Sequence, residues 1–477
     1  MPAPARTASR DRAASARTAS RDRAVPAPSR ARALPLPVPV VPALLLTLLL
    51  SLLVQLDAPR AHGREGSTDP VVAALTEAAR PLAGTEPYGD LRDLRPLGRA
   101  VGDAVIVGVG EATHGSHDFF TFQHRVFRHL AREKGFTSFA REAGWNAGLR
   151  IDQWVLTGEG DIRQIMREVL QSEDRLWNNQ EYLDLFRWMR EYNTRHDRKV
   201  RFVGDDIVPV EPELYDRVLD YVARHHPDRY RRFSELYRDH PAGSVLEATR
   251  EFKSRPQQQR LDLARRARQA HALLRSLPPG PDRREFRLTV QHARVIAQNT
   301  RFYSFDTDDE EQLVQQDLYR DEQMAANLTW WHRFTGDRIL LAAHDGHVAL
   351  VSNSPEYPRP QGAFLRDRFG GGYVSLRTSF GRGSFVAYGP ENTLRTFTVG
   401  PPAPGTNEHT LDRVPFRDYL LDLRTVPEPA RRWLDVPRPT REIGTVWPVP
   451  PAPTALRPSS DLLVHLHRVD AARLLPE

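Results

Sequence analysis

The chain has 477 residues, enough for one large or two ordinary domains, and no cysteine, which excludes disulfides, a thiolate nucleophile and any sulfur-ligated metal site. Its net charge of +6 resides in residues 1–32, where eight Arg stand against two Asp, so the rest of the chain is neutral overall. With three lysines and no basic stripe carrying interleaved aromatics, the many arginines read as a compositional bias, and nucleic-acid binding is not expected.

Residues 1–33 are rich in Arg, Ala and Pro, repeat the octapeptide RTASRDRA and cannot bury a core, so a disordered basic segment is expected. Residues 34–63 follow with four prolines and then a Leu-rich run over 43–54. That run is short for a spanning helix and suits the apolar part of a signal peptide behind a basic start. Ala61-His62-Gly63 offers an imperfect cleavage site; uncleaved, residues 34–56 would tether the chain to a membrane. Either way the body, residues 64–477, is expected to be secreted or anchored outside the cytoplasm.

Within the body, Val71–Ala79 has a helical pattern. The stretch from Val105 to Phe120, VIVGVGEATHGSHDFF, opens as a buried strand, stops at Gly110 and then delivers Glu111, Thr113, His114, Ser116, His117 and Asp118. Apolar residues at helical spacing run from Asp118 to Lys134 and end before Gly135. The device repeats. Phe136–Ala140 runs into Arg141 and Glu142, Val200–Val203 into Asp205 and Asp206, and Asp337–Ala343 into His344, Asp345 and His347, with helices over Trp145–Leu156 and Asn179–His196 in between. Residues 211–331 are almost wholly helical in character, an insertion between two sheet strands. Gly372–Phe380 and Ser384–Tyr388 read as an antiparallel hairpin turning at Gly381-Arg382-Gly383, and Leu462–Leu466 as a late edge strand. The fold class expected is α/β, three-layered, with a mainly parallel central sheet and a large helical insertion.

Ligands of open α/β sheets bind beyond the carboxyl ends of the strands, so four polar clusters at strand ends predict one shared cleft. There is no G-x-S-x-G elbow, no complete dinucleotide fingerprint and no phosphate loop. What remains is histidine and carboxylate. His114 is three residues from Glu111, a spacing that lets a carboxylate hold the imidazole while its other nitrogen takes a proton from water. Glu142, His344 and His347 are expected in the same site, with Arg141, Asp206, His117 and Asp118 contacting substrate. The same Glu111, His114, Glu142, His344 and His347 suit a divalent metal, and that alternative to cofactor-free catalysis stays open at this point. Thr113 and Ser116 are candidate nucleophiles, although hydroxyls in such places more often cap helices.

GEATHGSHDFF, REAGW at Arg141–Trp145, WMREYN at Trp188–Asn193, the Gly204-x-Asp206 turn, RDEQMAAN at Arg320–Asn327, AHDGHV at Ala343–Val348 and REIG at Arg441–Gly444 form an ordered set that resembles the erythromycin esterase family. The resemblance spans about Pro81 to Gly444. It implies a three-layer α/β fold with a helical insertion and, in the macrolide-inactivating members that confer antibiotic resistance, hydrolysis of the macrolactone by histidine-activated water without a required metal. Carried over by motif, His114 is the general base, Glu111 and Glu142 orient it or the water, and His344 and His347 complete the site. Asp118 stands where the family usually has Glu, and Asp345 where it often has Asn. The expectation is an exported ester hydrolase acting on a small-molecule ester or lactone; the alternatives are a metal-dependent hydrolase and a non-catalytic cell-surface protein of polysaccharide metabolism.

Overall fold

A computed structural model describes residues 69–476. The basic segment 1–33 and the expected leader 34–63 lie outside the described residues.

The strands are β1 (Arg80–Pro81), β2 (Ile106–Val109), β3 (Phe136–Gly144), β4 (Arg201–Asp206), β5 (Arg338–Ala342), β6 (Tyr373–Tyr388), β7 (Leu394–Val399), β8 (Asp418–Asp422), β9 (Arg438–Thr440), β10 (Ala452–Thr454) and β11 (Leu462–Val469). Nine of them build one sheet in the order β1-β8-β11-β6-β2-β5-β3-β4, with β7 on the outer half of β6. The run from β11 to β4 is parallel throughout. β9 and β10 form a separate ribbon.

Alternation along the strands makes the three layers. Leu340 and Ala342 of β5 point into one apolar core with Val107, Val109, Phe139 and Phe202, beneath the helices His117–Lys134 and Gln180–Arg195. Ile339, Leu341 and Ala343 point the other way, with Ile106, Ala140 and Val203, and are covered by the helices Glu213–His225, Arg283–Phe302 and Glu310–Thr335 that arrive between β4 and β5. Strands buried on both faces are what helices on both sides of a parallel sheet require. The His117–Lys134 helix ends as its sequence indicates, on Gly135 at φ +69°.

Two expectations are corrected. Gly381-Arg382-Gly383 is no turn: β6 runs straight through it, its first half parallel to β2 and β11, and the hairpin to β7 is made further on, at residues 389–393. Gly383 serves a close approach instead, since a Cβ there would meet the Val469 carbonyl oxygen of β11 at 1.9 Å. Leu462–Leu466 likewise lies inside the sheet between β6 and β8; the path ends at β1 and β4, not at this strand. Its LLVHL run is buried on both faces, which an edge strand would not need.

Candidate active site

The strand order places the ends of β6, β2, β5, β3 and β4 side by side, and the polar residues follow the register. Val109 is level with Ala342 and Leu376, Ala342 with Arg141, and Gly144 with Asp206. β3 and β4 extend further than their apolar runs suggest, so Arg141, Glu142, Asp205 and Asp206 are strand residues and not loop residues.

The turn after β2 is held from four sides. Gly110 donates to the Leu376 carbonyl at 2.8 Å, Asp345 to that of Glu111 at 3.0 Å, Ile443 to that of Ala112 at 2.8 Å and Ala472 to that of Gly115 at 2.9 Å. Gly115 leaves no room for a side chain, because a Cβ would sit 1.9 Å from the Val386 oxygen of β6. The last described residues thus act as a strap: His117 donates to Asp470, Gln180 to Arg473 and Leu475 to Asn178, so one segment pins both the His114 turn and the Trp177-Asn178 turn.

On this support His114, buried, faces Glu111 through Nδ1 at 2.7 Å. Glu111 has no water-exposed surface and uses every remaining lone pair: Arg141 donates to its two oxygens at 2.9 and 2.7 Å, and Gln123 to Oε2 at 2.9 Å. Burial raises the cost of its charge, but Arg141 and His114 outweigh that and bring the carboxyl down to about 2. An ionised Glu111 accepts the Nδ1 proton and leaves Nε2 of His114 as the free base. That Nε2 points toward Glu142, whose Oε1 is 4.0 Å away. The Trp177 ring meets His114 edge-on at 5.6 Å and the Arg141 guanidinium at 4.1 Å.

Glu142 is the second hub. It takes His347 Nε2 at 3.1 Å, Arg320 at 3.5 Å and the His344 backbone N–H at 2.9 Å. Burial works against its charge; His347, His114 and Arg320 hold it well below the usual carboxylate range. His347 sits between Glu142 and Asp321, 2.6 Å from Nδ1, and Tyr357 donates to Asp321. Both ring nitrogens therefore donate, and the two carboxylates overcome burial to raise His347 well above an ordinary histidine. His344 is its opposite. Its Nδ1 accepts the Gly346 N–H at 3.1 Å, which puts the ring proton on Nε2, and that buried donor has no partner. Burial, then the neighbouring His114, lower it to about 3, so it is neutral. The two rings are 5.1 Å apart.

The structure thus brings together all five residues expected to be catalytic, and Asp206 joins them by fixing Arg320 at 2.5 Å. The other residues expected to contact substrate lie differently. Arg141 is 1 % exposed and spends its guanidinium on Glu111. His117 is bound to Glu181 at 2.7 Å and Glu86 at 2.8 Å, and Asp118 accepts from Thr85 and the Asp470 N–H; neither shares a hydrogen bond with the cluster. These two begin the His117–Lys134 helix, and it is Gln123 of its second turn, not its first residues, that reaches Glu111. Ser116 Oγ has no partner and Thr113 Oγ accepts from Gly115, so neither hydroxyl lies against a base. Arg320, Asp321, Gln123, Trp177 and Tyr357 carry site geometry that sequence reasoning left unassigned. Only Arg320 and Asp321 had a signal, within RDEQMAAN.

The buried groups set an acid–base profile for stability. His124, His292 and His344 all have pKa near 3 through burial, so each costs stability as pH falls below about 6.5, where the unfolded chain takes protons that the folded chain refuses. Asp345, raised by burial to about 7, Glu211, raised by burial to about 8, and Asp205, raised by burial well above the usual carboxylate range, have the reverse sign and lose stability as pH rises. The two sets offset each other at mildly acidic pH. Below about 4 the buried acids no longer compensate, while Glu111 and Glu142 add their own loss, at about 1.4 kcal/mol per pH unit for each unmatched proton. Thermal unfolding midpoints are expected to plateau between about pH 4.5 and 6.5 and to fall on both sides, steeply on the acid side; a midpoint still rising from pH 6.5 to 8 contradicts this balance.

Comparison with known proteins agrees with the fold. A crystal structure of a Bacillus cereus protein superposes with a TM-score of 0.78 at 28% identity, covering 85% of this chain and 98% of that one. A variant of the erythromycin esterase EreC in its open conformation gives 0.61 at 17% identity, over 81% of this chain and 96% of that one, a likeness of fold alone. Erythromycin esterase type II of Escherichia coli is 32% identical over 127 residues, 27% of this chain and 29% of that relative's length. The erythromycin esterase family model matches residues 131–469, beginning beyond Glu111 and His114, which β2 joins to the matched part through its pairing with β5 and β6. With well over half of its length matched, the chain belongs to the erythromycin esterase family.

Proposed function

We propose that this protein hydrolyses a carboxylic ester with water activated by His114. The observation that carries the reading is the His114 imidazole, bound through Nδ1 to an ionised, buried Glu111 and presenting Nε2 toward Glu142 across 4.0 Å. A water in that gap gives its proton to Nε2 as its oxygen attacks the ester carbonyl. Glu142 orients the water, and Glu111 stabilises the imidazolium that forms. The partnerless Nε2–H of His344 is the donor for the oxyanion of the tetrahedral intermediate. His114 then returns the proton to the leaving alkoxide.

The reaction is proposed to need no metal. Among the described residues no group of three His, Asp or Glu side chains is arranged to hold one. The donor set gives the reason: Glu111 has committed its lone pairs to Arg141, Gln123 and His114, Glu142 holds His347, Arg320 and the His344 N–H, and a divalent ion would have to displace these partners. Incubation with a panel of esters and lactones, a macrolactone among them because of the relatives' names, is expected to turn one compound over, a lactone into a single product heavier by one water or an open-chain ester into its acid and alcohol. The rate is expected to survive chelation; loss of turnover on chelation, restored by a divalent ion, would overturn the metal-free reading.

Export is part of the proposal and rests on the Leu-rich run within residues 34–63 behind eight arginines. Among the described residues no helix is long and apolar enough to cross a membrane. Amino-terminal sequencing of the protein from its native host is expected to start close to residue 64. An intact Met1 on cytoplasmic protein would refute export.

A further inference from the structure

Among the described residues three strands of the main sheet, β1, β4 and β7, have a neighbour on one side only. β1 is two residues long, and β4 is buried along almost all of its length. β7, Leu394–Val399, is neither short nor covered: its register with β6 runs without a bulge, and Arg395, Thr396 and Thr398 are exposed. Lysine, proline and bulges, which keep edge strands single, are absent from it, and its one charge, Arg395, is paired with Glu391 at 3.4 Å.

The open flank can be assigned residue by residue. Gly389 donates to the Thr393 carbonyl at 3.0 Å, so, counting in twos along the antiparallel register, Arg395, Phe397 and Val399 exchange hydrogen bonds with β6. Leu394, Thr396 and Thr398 alternate with them, and their backbone groups point away. β6 agrees with this assignment: Val386 and Tyr388, level with Thr396 and Leu394, bond outward on their own side, Val386 to Gly115 at 2.9 Å and Tyr388 to Thr445 at 2.8 Å. Among the described residues no backbone group meets the outward edge of β7. That edge is a template for one more antiparallel strand.

The strand that fits is β7 itself. Laid antiparallel about a two-fold axis at Thr396, it sets Thr396 opposite Thr396 and Leu394 opposite Thr398, which engages every outward N–H and C=O of the strand. On the face where Phe397 stacks with Phe385, Arg395 then stands opposite Phe397. Arg395 already lies over its own Phe397 ring at 4.8 Å, so the same cation–π contact is made across the axis. Shifting the axis to residue 395 sets Arg395 against Arg395, and shifting it to 397 carries Leu394 past the strand to Gly400. A two-fold contact needs a patch complementary to itself, and the register about Thr396 supplies one.

We infer that the protein forms a two-fold dimer through the free edge of β7, with Thr396 on the axis. The inference is independent of the chemistry at His114. One short strand is a small interface, so the dimer exchanges with monomer instead of being permanent.

Sedimentation velocity of the full chain tests it. The parent is expected to pass from monomer to dimer between about 1 and 100 µM. Thr396→Lys and Thr396→Glu each put like charges face to face on the axis and are each expected to associate at least about tenfold more weakly. Their thermal midpoints should match the parent's, because Thr396 is exposed and turned away from β6. Mixed in equal amounts, the two variants are expected to dimerise again, since lysine then meets glutamate. A parent that stays monomeric over the whole range, a dimer that both variants keep, or folded variants that remain monomeric when mixed overturns the inference.

Discussion

Replacing His114 with alanine is expected to lower kcat on the best ester of the panel by about 10²–10⁴-fold, the usual contribution of a positioned acid–base group, with KM little changed. The reason is local. His114 Nε2 is a ring nitrogen presented toward Glu142 at 4.0 Å, whereas His344 lends its Nδ1 to Gly346 and His347 donates from both nitrogens, to Asp321 and Glu142. No other histidine of the cluster is left as a base. The fold should survive, since Glu111 keeps Arg141 and Gln123 when the imidazole is gone. Steady-state kinetics beside a thermal unfolding curve decide the matter: a variant with unchanged midpoint and unchanged kcat removes His114 from the mechanism.

Arg141→Leu is expected to have the largest effect on stability. Its guanidinium forms two bonds to a carboxylate that no water reaches, and losing one partner of a buried pair costs about 3–5 kcal/mol because the other charge stays behind. Without the cation, burial dominates Glu111 and its carboxyl rises from about 2, so what folded protein remains should lose activity at a higher pH than the parent. Adding Glu111→Gln removes the stranded charge. Arg141→Leu/Glu111→Gln is therefore expected to regain much of the stability and none of the activity. Denaturant titration of the parent and the two variants, with pH–rate profiles, measures both effects; an Arg141→Leu variant as stable as the parent would mean that the Glu111–Arg141 pair carries no buried charge.

Much of this architecture was legible in advance because parallel strands covered on both faces are written as short β-branched and apolar runs. Val105–Val109, Phe136–Ala140, Val200–Val203 and Ile339–Ala343 are each flanked by helices with a clear apolar face, and all are strands. The misreading at Gly381–Gly383 has a simple origin. Glycine marks a turn and a close backbone approach with the same letter, and which one applies depends on β11, some eighty residues later. The site divides similarly. Histidines and carboxylates at strand ends can be read from their position, but the distinction between Arg141 as substrate contact and Arg141 as clamp depends on where Glu111 points.

Local chemistry, then, wrote the strands, the insertion, the absence of thiol chemistry and the pool of acid–base groups directly into the order of residues. Pairing decided the rest. Asp321 and Tyr357 reach His347 from segments 26 and 10 residues away, and Glu111 meets Arg141 across 30. Three histidines of one kind become a free base, a neutral donor and a fixed cation because ionisation depends on which charges lie within a few ångströms after folding. That neighbourhood is a property of register and strand order, which no single segment carries.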